Sequence, residues 1–428
     1  MITGDPRLHA VLIALLVGTQ AFFTALAIRN LGHSRQMIDI ERDWVSDELG
    51  IDDPDAVIDY NRAKAGFSQL QSWVGLGFLL LILYAGVFTA AVEAVETVQL
   101  GPIGGGILFF VGAVIALQIY STPFDLVHTF VIEEQFGFNN QTPRLWLRDS
   151  IIGLTISIVF TAVLIGVLLA AIEWLSTWWW LAGTALFLGF ALVMQVLYPR
   201  VIAPLFNEFE RIESGELREG IESVFDRAGF RCEELYTMDA SRRSSHLNAY
   251  FVGFGRTKRV VLFDTLVDRL SLAEIQSVLA HELAHWRRNH IWKQLSASTV
   301  RIGVVLFVLW WLMTQPWLYE LFAIPENAPY AALVIGLLFV GPLSDLTAPL
   351  ENRLSLAHER EADDFAVDVM GDGEPMAAAL AGLAAENLAN PFPDPLYAAF
   401  HYSHPPIPER IRRIRQEQTD DTRTPMPE

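Results

Sequence analysis

The sequence predicts an all-α, multi-pass membrane protein with a small water-exposed α+β domain, and three observations predict it. Of its 428 residues 52% are hydrophobic and the mean hydropathy is +0.33, too apolar for two or three soluble domains of that total length. Seven apolar runs can be marked at roughly 8–28, 70–91, 104–120, 151–172, 178–198, 300–322 and 330–350, each close to the ~20 residues that cross a bilayer core as a helix. Between the fifth and sixth runs lies a long polar stretch, 199–299, with strand-like and helical periods of its own.

The first run follows only Arg7 and shows no small-residue cleavage site before a polar start, so it is read as a retained helix and not a removed signal. After it, 30–69 carries the acidic run DWVSDELGIDDPDAVIDY, expected to be a solvated cap or a loosely ordered loop. The third run is the shortest and richest in glycine. Pro123 to Trp146 (PFDLVHTFVIEEQFGFNNQTPRLW) mixes aromatics, acids and amides without a clean period, as expected against a membrane surface or at a cavity mouth. Glu133 and Glu134 there have only His128 nearby, so metal ligation is not expected of them. The fourth and fifth runs form a tight hairpin around Glu173, with Trp174, Trp178, Trp179 and Trp180 as an interfacial belt.

In the 199–299 domain an amphipathic helix, Glu216 to Ala228, stops at Gly229, and 232–238 and 258–264 read as strands of a small sheet packed on helices. Asn248, Ala249 and Tyr250 are placed to form an edge strand, where an extended peptide can be added to the sheet. His246 is read as a surface or structural residue. The single cysteine, Cys232, excludes an intrachain disulfide and a Cys-rich zinc site, and is read as a small buried hydrophobe.

The chemistry is carried by Ser271 to Trp286, SLAEIQSVLAHELAHW. Ser271 and Glu274 have the form of a capping box, and the apolar residues recur at helical spacing. His281 and His285, four apart, stand on one face and reach one tetrahedral Zn²⁺, with Glu282 beside them as a base. Such a site needs a third ligand and an open position. Beyond the seventh run, ENRLSLAHEREADDFAVDVM (351–370) sets Glu359 and Asp363 four apart on one helical face. One carboxylate would be the third ligand and the other would accept a hydrogen bond from a ligating imidazole. Glu361, two residues off, points elsewhere; His358 as a fourth protein ligand would close the open position. His401, His404 and Arg410 gather near two prolines, a short basic helix follows from Ile411, and the last dozen residues are expected to be disordered. The expected organisation is 1–198 with five spans and the loops 30–69 and 121–150, the domain 199–299, two spans in 300–350, a segment 351–415 completing the site, and a tail 416–428.

Of the 30 Lys and Arg, only Arg7 lies in the segments 1–8, 92–103, 173–177 and 323–329; the others lie on the opposite side, which the positive-inside rule makes cytoplasmic. Every candidate site residue is on that side. A net charge of −19 argues against a nucleic-acid partner. Spans nearly free of ionisable residues argue against a transporter or receptor with a structural zinc.

The motifs together resemble the integral-membrane CAAX prenyl endopeptidases: FVIEEQFGFNNQT (130–142), APLFNEFE (203–210), GELREGIE (215–222), RSSHLNAYFVGFGRTKRVVLFDTLV (243–267), HELAHW (281–286), EREADDFA (359–366) and SHPPIPERI (403–411). The resemblance implies a seven-helix barrel around a water-filled chamber, capped by a zincin-like protease domain. It implies one Zn²⁺ per chain on His281, His285 and Glu359, Glu282 as general base and acid, and Asp363 as the carboxylate behind a ligand. It also implies that Asn248 and Ala249 hold substrate and that His404 and Arg410 stand near the scissile bond and a metal ligand. The partners implied are a bilayer and a membrane-protein or lipid-modified peptide substrate, and the chain is read as a monomer. The acidity and the ending TPMPE, which is no dilysine-like retrieval signal, point to a bacterial plasma membrane, with the endoplasmic reticulum as the location in a eukaryote. Bacteria do not ordinarily prenylate CAAX ends, so a lipid-independent quality-control protease of the same mechanism is the alternative.

Overall fold

The computed structural model describes residues 3–230, 234–252 and 259–421, with side chains as far as 416. Cys232 and the chain past 421 lie outside them. The membrane half comprises α1 (Pro6–Ile40), α2 (Arg42–Leu49), α3 (Pro54–Tyr84), α4 (Val87–Thr97), α5 (Gly101–Val127), α6 (Pro143–Leu175) and α7 (Trp179–Leu197). A short α8 (Ala203–Phe206) leads into β1 (Phe209–Arg211), α9 (Glu216–Arg227), β2 (Glu234–Met238), β3 (Ala249–Val252), β4 (Arg259–Phe263), α10 (Asp264–Arg269) and α11 (Leu272–Arg287). The chain then returns to apolar helices in α12 (His290–Met313), α13 (Pro316–Glu320) and α14 (Pro329–Asp345). It ends in α15 (Ala348–Met370), α16 (Glu374–Glu386), α17 (Pro395–His401) and α18 (Ile407–Asp421), so the first residues of the expected disordered tail are helical.

The molecule is mostly helical, with membrane-spanning helices and one small sheet. The seven expected runs fall on α1, α3 with α4, α5, α6, α7, α12 with α13, and α14. By length and composition, five helical stretches among the described residues could cross a bilayer, or six if α14 and α15, bent by 49°, are one span. α6 and α7 belong to one helical stretch, Pro143–Phe206, interrupted by a 3-10 turn at Ser176–Trp178, where Ser176 takes φ 47°. At this turn Trp174 and Trp178 are exposed, as an interfacial belt requires, but Trp179 is buried in the core. α14 is the most enclosed of the apolar helices, with Tyr330, Ala331, Ala332 and Ile335 fully buried. Its approach to α5 explains the glycines of the third run: a Cβ on Gly106 would sit 2.2 Å from Leu169 of α6 and 3.0 Å from Tyr330 of α14.

The acidic 30–69 stretch is not a loose loop. α1 runs into it as far as Ile40, 35 residues in all, roughly 50 Å at 1.5 Å per residue against a ~30 Å bilayer core, and α2 follows at Arg42. Asp53 then caps α3 by accepting from the Asp55 N–H, with Pro54 at the first helical position. The reason lies in the apolar residues between the charges: Ile38, Val45, Leu49, Ile51 and Val57 are buried against Met376 and Leu380 of α16 and Ile411 and Ile414 of α18. Charges at the rim pair with α18, Arg412 with Glu41 and Arg415 with Glu48. The segment therefore braces the C-terminal helices that complete the site.

The sheet has the order β1-β2-β4-β3. β2 and β4 pair in parallel, and β3 runs antiparallel to β4 with Ala249 opposite Leu262. β3 is thus an edge strand. Its inner face joins the core of Leu235, Leu262, Leu279 and Leu283 that seats α11 against the sheet.

Candidate metal centre

α11 starts as its sequence dictates: Ser271 accepts from the Glu274 N–H, and Glu274 accepts from the Ser271 N–H at 2.6 Å. Leu279, Ala280, Leu283 and Ala284 are fully buried and leave one face of the helix for the histidines. α15 packs lengthwise against α11, and its Glu359, Ala362, Asp363 and Ala366 are buried in that contact. The small alanines let two polar helix faces approach.

His281 Nε2 lies 3.2 Å from Glu359 Oε2, His285 Nε2 lies 3.4 Å from Glu359 Oε1, and the two Nε2 atoms are 3.4 Å apart. Bonds of about 2.0–2.1 Å to a tetrahedral ion give ligand–ligand edges of about 3.3–3.4 Å; the two Nε2 atoms stand at that spacing, and each faces a different oxygen of Glu359. Glu359 Oε2 is buried without a hydrogen-bond partner, although buried carboxylate oxygens are normally satisfied. Two imidazoles and a buried carboxylate are a donor set that fits a metal. No other such cluster occurs among the described residues.

Behind this triangle the His281 Nδ1–H donates to Asp363 Oδ1 at 2.9 Å, which fixes the tautomer and leaves Nε2 for the metal. Arg410 clamps the same carboxylate with Nε at 2.9 Å and Nη2 at 2.6 Å. Burial pushes Asp363 up, but the hydrogen bonds from His281 and Arg410 outweigh it and hold the carboxyl well below its usual range. Burial pushes His281 down, but the Asp363 and Glu359 carboxylates raise it to about 9. His285, with no carboxylate on Nδ1, is lowered by burial and by His281 to about 4. Burial raises the Glu282 carboxyl, with His281 opposing and Glu359 adding, the direction that suits a proton acceptor near neutral pH.

The resemblance implied that His404 and Arg410 stand near the scissile bond and a metal ligand; each lies beside a different member of the donor triangle, His404 beside Glu359 and Arg410 with Nη2 3.3 Å from His281 Nδ1. His404 Nε2 stands 3.4 Å from Glu359 Oε2 with its side chain 58% exposed; Arg410 is buried behind Asp363. Ala249 and Tyr250 lie on the edge strand, and Asn248 just precedes it, its carbonyl accepting from the Phe263 N–H. Glu361 is not in the donor triangle. It accepts from His290 Nε2 at 3.0 Å, and His290 Nδ1 lies 3.1 Å from His285 Nδ1. The sequence reading missed His290, placed under His285 because Asn289 adopts the left-handed conformation (φ 57°, ψ 30°) between α11 and α12. The Asn before it was the available signal.

A helix-borne pair of histidines with an adjacent glutamate, a third carboxylate from a second helix, and long apolar helices on either side define a membrane metallopeptidase. Comparisons make this specific. The family model described as CAAX prenyl protease N-terminal, five membrane helices, matches residues 45–208, and that of peptidase family M48 matches 211–418. The chain is 38% identical to a CAAX prenyl protease 1 homolog of Oryza sativa subsp. japonica, over 72% of each chain. It is 33% identical to CAAX prenyl protease 1 of Saccharomyces cerevisiae, over 83% of this chain and 84% of that one. The crystal structure of S. mikatae Ste24p matches with a TM-score of 0.88 at 28% identity, covering 96% of this chain and 99% of that chain. The chain belongs to peptidase family M48, among the CAAX prenyl proteases, and is an integral-membrane metalloendopeptidase, as the motifs implied.

Proposed function

We propose that the chain is a zinc endopeptidase that cuts membrane-associated or prenylated, CAAX-type substrates. The observation that carries this reading is the donor triangle of His281, His285 and Glu359 on the same core as an edge strand with one side unpaired among the described residues. One zinc per chain would be held there; when bound it supplies Lewis acidity to the peptide carbonyl and makes water acidic enough to attack near neutral pH. Glu282 takes the proton of the attacking water and returns it to the leaving amine. His404, exposed and beside Glu359, donates to the carbonyl oxygen as charge develops, a contact worth about 3 kcal/mol by comparison with lost oxyanion donors. Arg410 acts from behind by fixing Asp363. The substrate lies extended along β3 beside Asn248 and Ala249, its main chain paired with the edge.

The helices would form a seven-span barrel with a chamber that admits lipid-bearing or unfolded segments and excludes folded ones. The basic side would be cytoplasmic, in a bacterial plasma membrane, with the chain acting as a monomer. External labelling of single cysteines in a Cys232→Ser background tests the orientation: a site in 323–329 should react and one in 215–222 should not.

The substrate reading is tested with matched peptides carrying or lacking a farnesyl group. Faster cleavage of the farnesylated CAAX peptide is expected; equal cleavage of both would leave the lipid tolerated but not recognised, and would favour quality control of membrane proteins.

A further inference from the structure

The geometry points to His290 and Glu361 as a second positioning pair, a relay that fixes the tautomer and ring plane of His285. The inference rests on the metallopeptidase reading and extends it to two residues outside the donor triangle. His285 Nε2 faces Glu359 Oε1 and His281 Nε2, so it is the donor atom toward the metal and must be unprotonated. The proton of the neutral ring is then on Nδ1, which faces His290 Nδ1 at 3.1 Å. His290 Nδ1 must accept, and its own proton is therefore on Nε2, which donates to Glu361 Oε2 at 3.0 Å. Each contact dictates the next, and no other tautomer assignment of two neutral rings satisfies both hydrogen bonds.

The rings are also held in place. His290 is fully buried, and His358 stacks on it with centroids 4.1 Å apart and planes 12° from parallel. His290 thus has no room to rotate away from His285. The relay spans three helices: α11 gives the ligand, the first residue of α12 the intermediate ring, and α15 the terminal carboxylate. A carboxylate behind an imidazole raises the basicity of the ligating nitrogen, and loss of such partners costs about 10–100-fold in metal affinity.

The test is the zinc dissociation constant of the full-length protein in detergent, from competition with a chromophoric chelator. Because His290 is buried and its replacement endangers the fold, the decisive variants are at Glu361, whose side chain is 50% exposed. Glu361→Ala is expected to weaken zinc binding about tenfold. Glu361→Gln, whose amide oxygen still accepts from His290 Nε2, should stay within about threefold of the wild type. Co²⁺-substituted protein gives a second readout: its visible ligand-field bands should shift in Glu361→Ala and return in Glu361→Gln, which a merely structural contact would not produce. Zinc binding by Glu361→Ala within twofold of the wild type, or equal loss in the Ala and Gln variants, overturns the relay. A wild-type protein that binds no zinc overturns the metallopeptidase reading itself, and the relay with it.

Discussion

The two imidazoles of α11 that face Glu359 are chemically identical and one helical turn apart, yet their supports differ in kind. His281 leans directly on a buried carboxylate, Asp363, which is itself paired with a buried guanidinium. His285 leans on a second neutral ring, and the charge arrives only at the half-exposed Glu361. The first support therefore belongs to the folded core as much as to the metal. An ion pair with one partner removed leaves a buried charge uncompensated, at about 3–5 kcal/mol. The second support can be altered at its solvent end with little risk to the fold.

That difference only matters if both supports act on the metal and not on the reaction step, and the largest expected effect tests this. Glu282→Gln leaves both imidazoles and both supports untouched. It should keep zinc and the native thermal transition while losing about a thousandfold in kcat. Turnover near the wild-type rate would break the mechanism; loss of zinc would mean that Glu282 belongs to the metal's support and that the comparison is drawn between the wrong groups.

Next in size are substitutions at the two supports themselves. Arg410→Ala should lower stability by about 3–5 kcal/mol, seen as a large drop in the thermal transition of the detergent-solubilised protein. Glu361→Ala takes the acceptor from the buried His290 Nε2 but at a half-exposed position that water can reach, and should shift it by about 1 kcal/mol. Asp363→Asn keeps an oxygen to accept from His281 but surrenders the charge, and should weaken zinc binding about 10–100-fold. Equal destabilisation by Arg410→Ala and Glu361→Ala would show that the supports are alike.

The same contrast explains what was legible beforehand. Helical spacing puts His281 with His285 on one face and Glu359 with Asp363 on another, while the resemblance, not the spacing, assigned Glu359 as the ligand and Asp363 as the carboxylate behind it. The spacing within each helix is local and legible, whereas the packing of α11 on α15 that joins the two faces is a long-range contact. His290 depends on a left-handed residue at Asn289 between α11 and α12, so no helical spacing within the motif ties it to His285. Arg410 depends on how α18 is seated, which is set by the contact of α16 and α18 with buried residues of the acidic 30–69 segment. There the charges dominate the composition while Ile38, Val45 and Leu49 supply the packing. The span count is similarly hard to read in either direction, because helices such as α1 run beyond the bilayer while α14, at 17 residues, is short of it.

The smallest effect is the sharpest, because it separates the two imidazoles in a single titration. Before the metal binds, His281 is raised to about 9 and His285 is lowered to about 4. Between these values His281 carries a proton that must leave before Nε2 can bind a cation, whereas His285 is already neutral. Zinc affinity should therefore rise with pH by about tenfold per unit from pH 6 to 8, the signature of one displaced proton, and flatten as pH passes the His281 value. The sign follows from competition between proton and metal for one lone pair. In Asp363→Asn one of the two carboxylates that raise His281 loses its charge while Glu359 remains, so the flattening should begin at lower pH, although affinity on the plateau is weaker. Isothermal titration in two buffers of different ionisation enthalpy counts the protons released. A slope of two protons across this window would mean that His285 titrates beside His281, and the relay through His290 would then no longer distinguish the two rings.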